Sequence, residues 1–295
     1  MKKLHATGFL VVAAISLSAC TSASKDGGTS TAPATKATQD NNAASLVPAD
    51  VKSKGTYTVA MDASYAPFEY FGSDNKTIIG FDADLSTAIA GKLGLQPKLV
   101  NAGFDTILPG LAAKKYDAGT SAFSVTPERV KTVSFVPYLA AGTGIAVAPG
   151  NPKKLKMDPM VLCGNTIAAQ KGSVQGIQQL PDISKSCSGA GKQSVTIRLF
   201  PSQNEANLAV TSGRAEAVMA DSVSLSYQAK QSGGKFELAP GGEYKPADIG
   251  VALPKGSTLE PAIAAAVKVL VSDGTIPKLM KKWAIPASAT IKNAG

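Results

Sequence analysis

The sequence predicts an α/β protein made of two lobes of related plan, and three observations lead to this prediction. From Gly55 onward, short β-branched segments alternate with amphipathic helical segments, which is typical of layers around a largely parallel sheet. A basic-x-acidic-Ala pattern occurs at Lys115–Ala118 and again at Arg214–Ala217, each time between a helical segment and a polar loop. The chain of 295 residues is long enough for one large domain or two modest ones.

The first elements of this alternation are clear in the sequence. Residues 57–61 alternate and contain β-branched side chains, which predicts a strand. A helix is expected to begin at Asp82, as its cap, and to end at Gly94. Its apolar positions recur at intervals of three and four: Leu85, Ala88, Ile89 and Leu93. The next predicted elements are a strand at 98–100, a helix at 107–112 and a strand near Ala118.

The two copies of the repeated pattern also predict where a ligand binds. Aligning them places Asp221 opposite Ala122, in the polar loops 121–124 and 221–224. In open α/β sheets, ligands bind beyond the carboxyl ends of the strands. We therefore expect these two loops to line one site, unless the short pattern repeats by chance.

The segment 121–129 contains the most specific local signal. Thr126 and Pro127 are the residue types that begin a helix, and Arg129 follows within its first turn. Free backbone N–H groups, the positive end of a helix and a guanidinium group together favour binding of a carboxylate or phosphate. The alternative is a capped helix whose arginine faces solvent.

Residues 1–19 have the features of a secretory signal peptide. Lys2 and Lys3 precede the apolar stretch 9–17, which is too short to span a membrane. The stretch ends in Leu17-Ser18-Ala19-Cys20, which resembles the lipobox of bacterial lipoproteins. This resemblance implies that Cys20 becomes lipidated and anchors the mature protein. The alternative is an ordinary signal peptide with a chance cysteine.

Residues 20–49 contain mainly small and polar amino acids, so we expect them to form a flexible tether. With Cys20 as the anchor, Cys163 and Cys187 remain and are expected to form a disulfide in an oxidising compartment. Two free buried thiols are the alternative. The only histidine, His5, lies in the signal peptide, so neither a metal site nor a cofactor is expected.

The net charge of +9 favours a solvated, lysine-rich surface that faces an anionic cell envelope. Secretion, and the lack of an arginine cluster interleaved with aromatic residues, argue against a nucleic-acid partner.

Several segments, taken in order, resemble the signatures of a known family. They are Asp62-Ala-Ser-Tyr65-Ala-Pro-Phe-Glu69, Gly80-Phe-Asp-Ala-Asp-Leu85, Phe104-Asp-Thr-Ile-Leu-Pro109, Ser121-x-x-Ser124-x-Thr-x-Glu-Arg129, Gln170-Lys-Gly-Ser173 and Gly213-Arg-Ala-Glu-Ala217, followed by Asp221. Their order and spacing are similar to those of the polar amino-acid receptors of ABC importers, the extracellular solute-binding proteins of family 3. The similarity covers residues 55–283.

The resemblance implies a periplasmic-binding-protein type II fold, in which two α/β lobes are joined by two hinge strands. Lobe 1 would comprise residues 50–141 and 248–290, and lobe 2 would comprise residues 142–247. The ligand would lie in the cleft and become buried as the lobes close.

The resemblance also implies roles for nine residues. Arg129 would grip the ligand α-carboxylate, and Asp221 would receive its α-ammonium group. The remaining positions are Ser124 and Ser173 as carboxylate helpers, Ser121 and Ala122 through the main chain near the ammonium group, Tyr65 and Phe104 as side-chain walls, and Asp62 beside a polar or cationic side chain. Two departures affect the fine geometry: Ala122 stands where many members have serine, and Val174 stands where threonine is common.

Together these features predict a monomeric, lipid-anchored receptor that delivers an amino acid, with a polar or cationic one favoured, to the permease subunits of an ABC importer. One alternative is a sensory protein that presents its ligand to a receptor. The other is a dehydratase-like enzyme, in which an unaided carboxylate such as Asp62 or Glu69 would act as acid or base. We expect no catalysis, because the mature chain has no histidine and no plausible cysteine nucleophile.

Overall fold

The structure, a computed structural model, describes residues 38–291. The predicted signal peptide, Cys20 and the first part of the predicted tether lie outside these residues. The described residues form twelve strands: β1 Thr56–Met61, β2 Ser64–Tyr65, β3 Glu69–Phe71, β4 Ile78–Ile79, β5 Gln96–Asn101, β6 Ala118–Gly119, β7 Val133–Val147, β8 Thr166–Gln170, β9 Thr196–Phe200, β10 Ala217–Asp221, β11 Glu237–Leu238 and β12 Tyr244–Pro254.

Nine α-helices lie within the same residues: α1 Asn41–Ser45, α2 Ala49–Lys54, α3 Phe81–Leu93, α4 Phe104–Ala112, α5 Leu180–Gly189, α6 Gln203–Thr211, α7 Ser222–Gln231, α8 Glu260–Ser272 and α9 Thr275–Lys282. Short 3-10 helices occupy Arg129–Lys131 and Ala287–Ala289, and a π-helical segment occupies Gln175–Gln179. In the part of the chain that the structure describes, no helix combines the length and the apolar character that a membrane crossing requires.

The main sheet has nine strands in two parallel groups, with the order β5-β1-β6-β12-β7-β10-β8-β9 and with β11 beside β7. In the first group, β1 pairs in parallel with β5 and β6. In the second group, β8 pairs in parallel with β9 and β10. The long strands β7 and β12 run antiparallel to each other between the two groups. This is the predicted fold of two α/β lobes joined by two hinge strands, and the predicted strands at 57–61, 98–100 and 118 are β1, β5 and β6.

The lobe boundaries remain a proposal, which the register of the two hinge strands supports. Ala141 pairs with Ala247 and Ala140 pairs with Asp248, so the chain crosses in both directions at the same level. We place lobe 1 at 50–141 and 248–290, and lobe 2 at 142–247, as predicted from the sequence.

The predicted disulfide between Cys163 and Cys187 is present, with the Cα atoms 5.6 Å apart. It joins the segment before β8 to α5 in the core of lobe 2. Cys187 is fully buried there beside Leu180 and Ile183.

The end of the predicted tether is wrong, because the chain is already folded before residue 49. Asp40 caps α1 through a hydrogen bond that its side chain accepts from the Ala43 amide group. Ala43 and Val47 are buried, and α1 packs against α3 and α8. Small apolar residues spaced four apart are enough to dock a short helix on an existing surface. The mainly polar composition of the segment concealed this stripe.

The predicted cap of α3 is also wrong. The residue that precedes the helix is Gly80, whose φ of 130° is accessible to glycine. A Cβ atom at Gly80 would clash with the carbonyl oxygen of Phe68, so this position also needs glycine for close packing. Asp82 therefore lies inside the first turn, where its side chain is buried and makes contacts beyond the helix.

Candidate functional site

The two polar loops predicted from the repeated pattern line one small cavity at the hinge. Its walls come from both lobes and include eight of the nine predicted site residues. The lining residues are Tyr65, Phe104, Ser121, Ala122, Ser124, Arg129, Gln170, Ser173, Val174, Gln175 and Asp221. Asp62 does not line the cavity.

Arg129 lies in a buried position beside a pair of aromatic rings. Its guanidinium carbon lies 5.7 Å from the ring centroid of Phe104 and 5.5 Å from that of Phe123, and the two rings stack on each other. Its Nη1 donates to the carbonyl oxygen of Ser124 at 2.9 Å, and its Nη2 donates to that of Gly172 at 3.1 Å. Burial lowers the pKa of Arg129 to about 10, so the side chain stays charged at neutral pH.

The helix predicted from Thr126 and Pro127 is only the three-residue 3-10 turn Arg129–Lys131. The Thr126 hydroxyl group does accept a hydrogen bond from the Arg129 amide group at 3.2 Å, as a cap would. However, the chain enters β7 at Val133, so the turn has no room to extend. An aligned helix dipole therefore contributes little here, and the positive charge of the site comes from the Arg129 side chain.

Asp221 ends β10 and is the buried anion of the cavity. Its carboxylate accepts hydrogen bonds from the Tyr65 hydroxyl group at 2.8 Å and from Nε2 of Gln175 at 3.0 Å. Burial raises the pKa of Asp221 to about 6, and these two bonds and the charge of Arg129 oppose that rise. Within residues 38–291, neither Asp221 nor Arg129 forms a salt bridge.

Ser121 and Ala122 form the lobe 1 side of the cavity, opposite Asp221. Ala122 has a φ of 45°, in the left-handed region that side chains rarely occupy. Its amide group donates to the buried carboxylate of Asp82 at 2.8 Å. The Ser121 hydroxyl group donates to Glu69 and accepts from the Asp62 amide group, so it is fully engaged in lobe 1.

With the proposed lobe boundaries, the two predicted carboxylate helpers lie on opposite lobes. The carbonyl oxygen of Ser124 binds Arg129, and Ser124 pairs with Ile249 of the second hinge strand. The Ser173 hydroxyl group donates to the carbonyl oxygen of Gln170 and accepts from the amide group of Gly176. Ser173 thus starts the helical segment that follows β8.

Asp62 lies behind the cavity and not on its wall. Its carboxylate accepts hydrogen bonds from the Ser64 hydroxyl group, the Phe104 amide group and Nε2 of Gln170. Burial raises its pKa, and these three bonds oppose the rise. The Gln170 side chain therefore stands between Asp62 and the cavity.

Sequence reasoning missed Gln170, Val174 and Gln175 as lining residues. Gln170 belongs to a segment that contributes to the resemblance but predicts no role for this residue. Val174 was noted only as a departure from a common threonine. Nε2 of Gln175 donates to both Asp221 and the Thr143 hydroxyl group, which links the Asp221 side of the cavity to β7. A buried glutamine two positions after Ser173 has no sequence signal of its own.

Several polar contacts join the lobes outside the cavity. Nζ of Lys171 lies 2.8 Å from the carboxylate of Asp105, with much of the lysine side chain exposed. Nε2 of Gln178 donates to Glu128 at 3.0 Å. Lys171 is therefore a rim residue that pairs across the cleft and does not line the cavity.

A second and larger groove lies between α7, β11 and the C-terminal segment. Its charged lining residues are Lys230 and Glu243, and none of the predicted site residues belongs to it. No group of three or more potential metal ligands occurs among residues 38–291.

Comparison with known proteins relates this chain to a family. The model of the bacterial extracellular solute-binding proteins, family 3, matches residues 57–286. The arginine-binding protein ArgT of Corynebacterium glutamicum is 31% identical over 240 residues, which cover 81% of this chain and 78% of that protein.

Two solved structures extend the comparison. The amino acid ABC transporter substrate-binding protein AbpA of Streptococcus pneumoniae, bound to L-arginine, has a TM-score of 0.71 at 27% identity and covers 82% of this chain and 99% of its own. The ancestral amino acid-binding protein AncCDT-1, a precursor of cyclohexadienyl dehydratase, has a TM-score of 0.70 at 31% identity. The match covers 79% of this chain and 97% of that protein.

Proposed function

This chain belongs to the bacterial extracellular solute-binding proteins, family 3, and we propose that it binds an amino acid in the Arg129–Asp221 cavity and delivers it to an ABC importer. Relatives such as ArgT of Corynebacterium glutamicum are themselves binding proteins. The proposal concerns the ligand, the residues that hold it and the delivery step.

One observation carries the proposal: a buried cation and a buried anion line the same small cavity without pairing with each other. Arg129 belongs to lobe 1 and is 7% exposed, and Asp221 belongs to lobe 2 and is 5% exposed. A buried charge without an ionic partner is costly, so each favours a ligand group of opposite sign. The α-carboxylate and α-ammonium groups of an amino acid supply both signs on one carbon atom.

The position of the two charges on different lobes connects binding to closure. A zwitterion held by Arg129 on one side and by Asp221 on the other contacts both lobes only when the cleft is closed. The ligand therefore stabilises the closed form through contacts that the open form lacks, which is a shift of population. A closed form that differs in shape from the open one is what an importer can recognise.

A polar or cationic side chain is the substrate class that the surroundings favour. Gln170 presents its amide group at the cavity, and Asp62 accepts a hydrogen bond from that amide group. Phe104 supplies an aromatic wall beside Arg129. The arginine-binding proteins among the relatives make arginine the first ligand to test.

The head-group claim is tested by calorimetric titration of the purified protein after partial unfolding and dialysis. Arginine is compared with agmatine, which lacks the α-carboxylate, and with 5-guanidinopentanoate, which lacks the α-ammonium group. We expect each analogue to bind roughly 100-fold more weakly or worse than arginine, because each leaves one buried charge unpaired. Equal affinity for arginine and agmatine would overturn the role of Arg129.

The membrane anchor is part of the proposal and has its own test. Cys20 is proposed to carry a lipid, with the residues up to about 37 as the link to the folded part. Metabolic labelling with radioactive palmitate should label the wild-type chain and should not label Cys20→Ser. Equal labelling of both chains would contradict the assignment of Cys20.

A further inference from the structure

Two fully buried carboxyl groups lie behind the loop that contains Ser121 and Ala122. Glu69 is the first residue of β3, and Asp82 lies in the first turn of α3. Neither lines the cavity, and neither forms a salt bridge with any lysine or arginine in residues 38–291. Two buried anions side by side without a cation are strongly disfavoured, so the charge of this pair needs a physical explanation.

The contacts of Asp82 are those of an ionised acceptor. One oxygen atom accepts a hydrogen bond from the Ala122 amide group at 2.8 Å. Both oxygen atoms lie 2.8 Å from the Tyr138 hydroxyl group, which extends from β7. An amide N–H can only donate, so its partner oxygen on Asp82 must accept. Asp82 has two donors around it and Glu69 has one, which favours the charge of the pair on Asp82.

The contacts of Glu69 are those of a protonated group. Its Oε1 accepts a hydrogen bond from the Ser121 hydroxyl group at 2.6 Å. Its Oε2 is buried and has no N–H or O–H donor among the described residues. This side chain lies within hydrogen-bonding reach of the Asp82 carboxylate. A proton on Oε2 satisfies the lone oxygen atom and removes the repulsion between the two groups.

We propose that Glu69 and Asp82 hold one proton between them, on Oε2 of Glu69, and that this pair is the positioning device for the Ser121–Ala122 loop. The Ser121 side of the loop is held because the Asp62 amide group donates to Ser121, which donates to Glu69. The Ala122 side is held because its amide group donates to Asp82. The role in binding rests on the proposed function, whereas the place of the proton does not.

The surrounding charges agree with this assignment. Burial, together with the charges of Asp82 and Asp62, raises the pKa of Glu69 well above its usual range. Burial raises the pKa of Asp82 to about 6, and the hydrogen bonds from Ala122 and Tyr138 oppose the rise, while Asp221 adds to it. Burial also raises the pKa of both Tyr138 and Tyr65, so these hydroxyl groups stay protonated.

The proton on Glu69 helps to hold the loop in a conformation that the sequence of the loop does not favour. Ala122 has a left-handed φ of 45°, and a fixed acceptor on Asp82 holds its amide group in that conformation. Removing the proton from Glu69 would bring a second charge against Asp82, and both hydrogen-bonded ends of the loop would be disturbed.

The place of the proton is tested by the pH dependence of unfolding, without any ligand. A carboxyl group whose pKa is raised in the folded state makes the protein less stable as the pH rises, until the folded pKa is passed. Above about pH 6.5 the other raised carboxyl groups with a stated value, Asp82 and Asp221, are ionised. Above that pH, and as long as Glu69 stays protonated in the folded state, the unfolding constant of wild type should therefore rise with pH because of Glu69, by up to about tenfold per pH unit.

The decisive variant is Glu69→Gln, whose amide group replaces the protonated carboxyl group and can still donate to Asp82. We expect the unfolding constant of this variant to depend less on pH than that of wild type. Removing one titrating group lowers the dependence by a factor of up to about ten per pH unit. The matched control Glu237→Gln, at an exposed position on β11, should keep the wild-type slope. An unchanged slope in Glu69→Gln would overturn the assignment of the proton.

The positioning role is tested on the Ala122 amide resonance, which reports its hydrogen bond to Asp82 directly by NMR. We expect Glu69→Gln to keep this resonance near its wild-type position, and Glu69→Ala and Asp82→Asn to shift it. Arginine affinity should follow the same order, with a loss of roughly tenfold or more in the last two variants. A wild-type resonance in Asp82→Asn together with a shifted one in Glu69→Gln would overturn the proposal.

The two proposals fail in different ways. If arginine and every other amino acid fail to bind wild type, the proposed function is wrong, and the unfolding slope and the Ala122 resonance still decide this inference. If wild type binds arginine but Glu69→Gln loses affinity as strongly as Glu69→Ala does, the proton on Glu69 has no positioning role and the inference is overturned.

Discussion

The hydroxyl group of Tyr65 donates a hydrogen bond to the carboxylate of Asp221 at 2.8 Å, across 156 positions of the sequence. The same hydroxyl oxygen atom accepts a hydrogen bond from the Asp221 amide group at 3.1 Å. Tyr65 therefore does more than form an apolar wall, because it fixes the anion of lobe 2 from a residue of lobe 1. Loss of this bond should change the acidity of Asp221 as well as the shape of the cavity.

The pH dependence of binding should follow the ionisation of Asp221. Burial raises the pKa of Asp221 to about 6, and only the ionised form attracts an α-ammonium group. Affinity for the amino acid should therefore fall about tenfold per pH unit below that value. The hydrogen bond from Tyr65 lowers this pKa, so Tyr65→Phe should move the midpoint to higher pH. Titrations from pH 4.5 to 8 would measure both midpoints, and a midpoint that moves downward in Tyr65→Phe would contradict this relationship.

Removal of the Asp221 carboxylate should cost most of the affinity. Asp221→Ala leaves the ligand ammonium group buried without its partner, at a cost of about 3–5 kcal/mol, or roughly 150- to 4,000-fold. Calorimetry on this variant measures the loss directly. Asp50→Ala, at an exposed position on α2, is the matched control and should bind as wild type does. A loss below about fivefold in Asp221→Ala would rule out this carboxylate as the ammonium site.

Replacing Arg129 with lysine should show whether the shape of its side chain matters in addition to its charge. Lysine keeps the charge but cannot form the paired hydrogen bonds of a guanidinium group with a carboxylate. We expect Arg129→Lys to lose about 1.5–3 kcal/mol of binding free energy, or roughly 10- to 150-fold. Arg198→Lys, on the exposed part of β9, is the control. Wild-type affinity in Arg129→Lys would show that charge alone is sufficient.

The disulfide should stabilise lobe 2 without taking part in binding. Cys163 and Cys187 are 24 positions apart. Closing a loop of that length lowers the conformational entropy of the unfolded chain, which raises the free energy of the unfolded state by about 3.5 kcal/mol at room temperature. Urea unfolding of wild type and of the double variant Cys163→Ala/Cys187→Ala should differ by about this amount, less any change in core packing. Ligand affinity near 25 °C should change little, and a large loss would show that the bridge shapes the cavity.

The order of the elements and the composition of the site were largely predictable from the sequence, because both depend on local signals. The strand β1, the helix α3 with its end at Gly94, and the pairing of Cys163 with Cys187 each follow from patterns within a few positions or from the residue type. The repeated pattern correctly brought the loops of Ala122 and Asp221 together at one cavity.

What sequence reasoning missed depends on contacts between distant segments. Asp82 was expected to cap its helix, yet its carboxylate binds Ala122 and Tyr138, which lie 40 and 56 positions away. The α-helix expected at Thr126 is prevented because β7 begins a few residues later. The helix α1 forms because it packs against α3 and α8. The polar composition of its own segment does not indicate this contact. Tertiary contacts outweigh local preference at each of these positions.

The most direct test of the central claim is a thermal-shift screen of the purified protein against the standard amino acids, after partial unfolding to remove bound ligand. A ligand that binds only the folded state raises the melting temperature by mass action. A concentration-dependent rise with one or a few amino acids, which disappears in Asp221→Ala and persists in Asp50→Ala, is the result that this account predicts. No rise with any of them, in a protein that unfolds cooperatively, would contradict the claim that the Arg129–Asp221 cavity binds an amino acid.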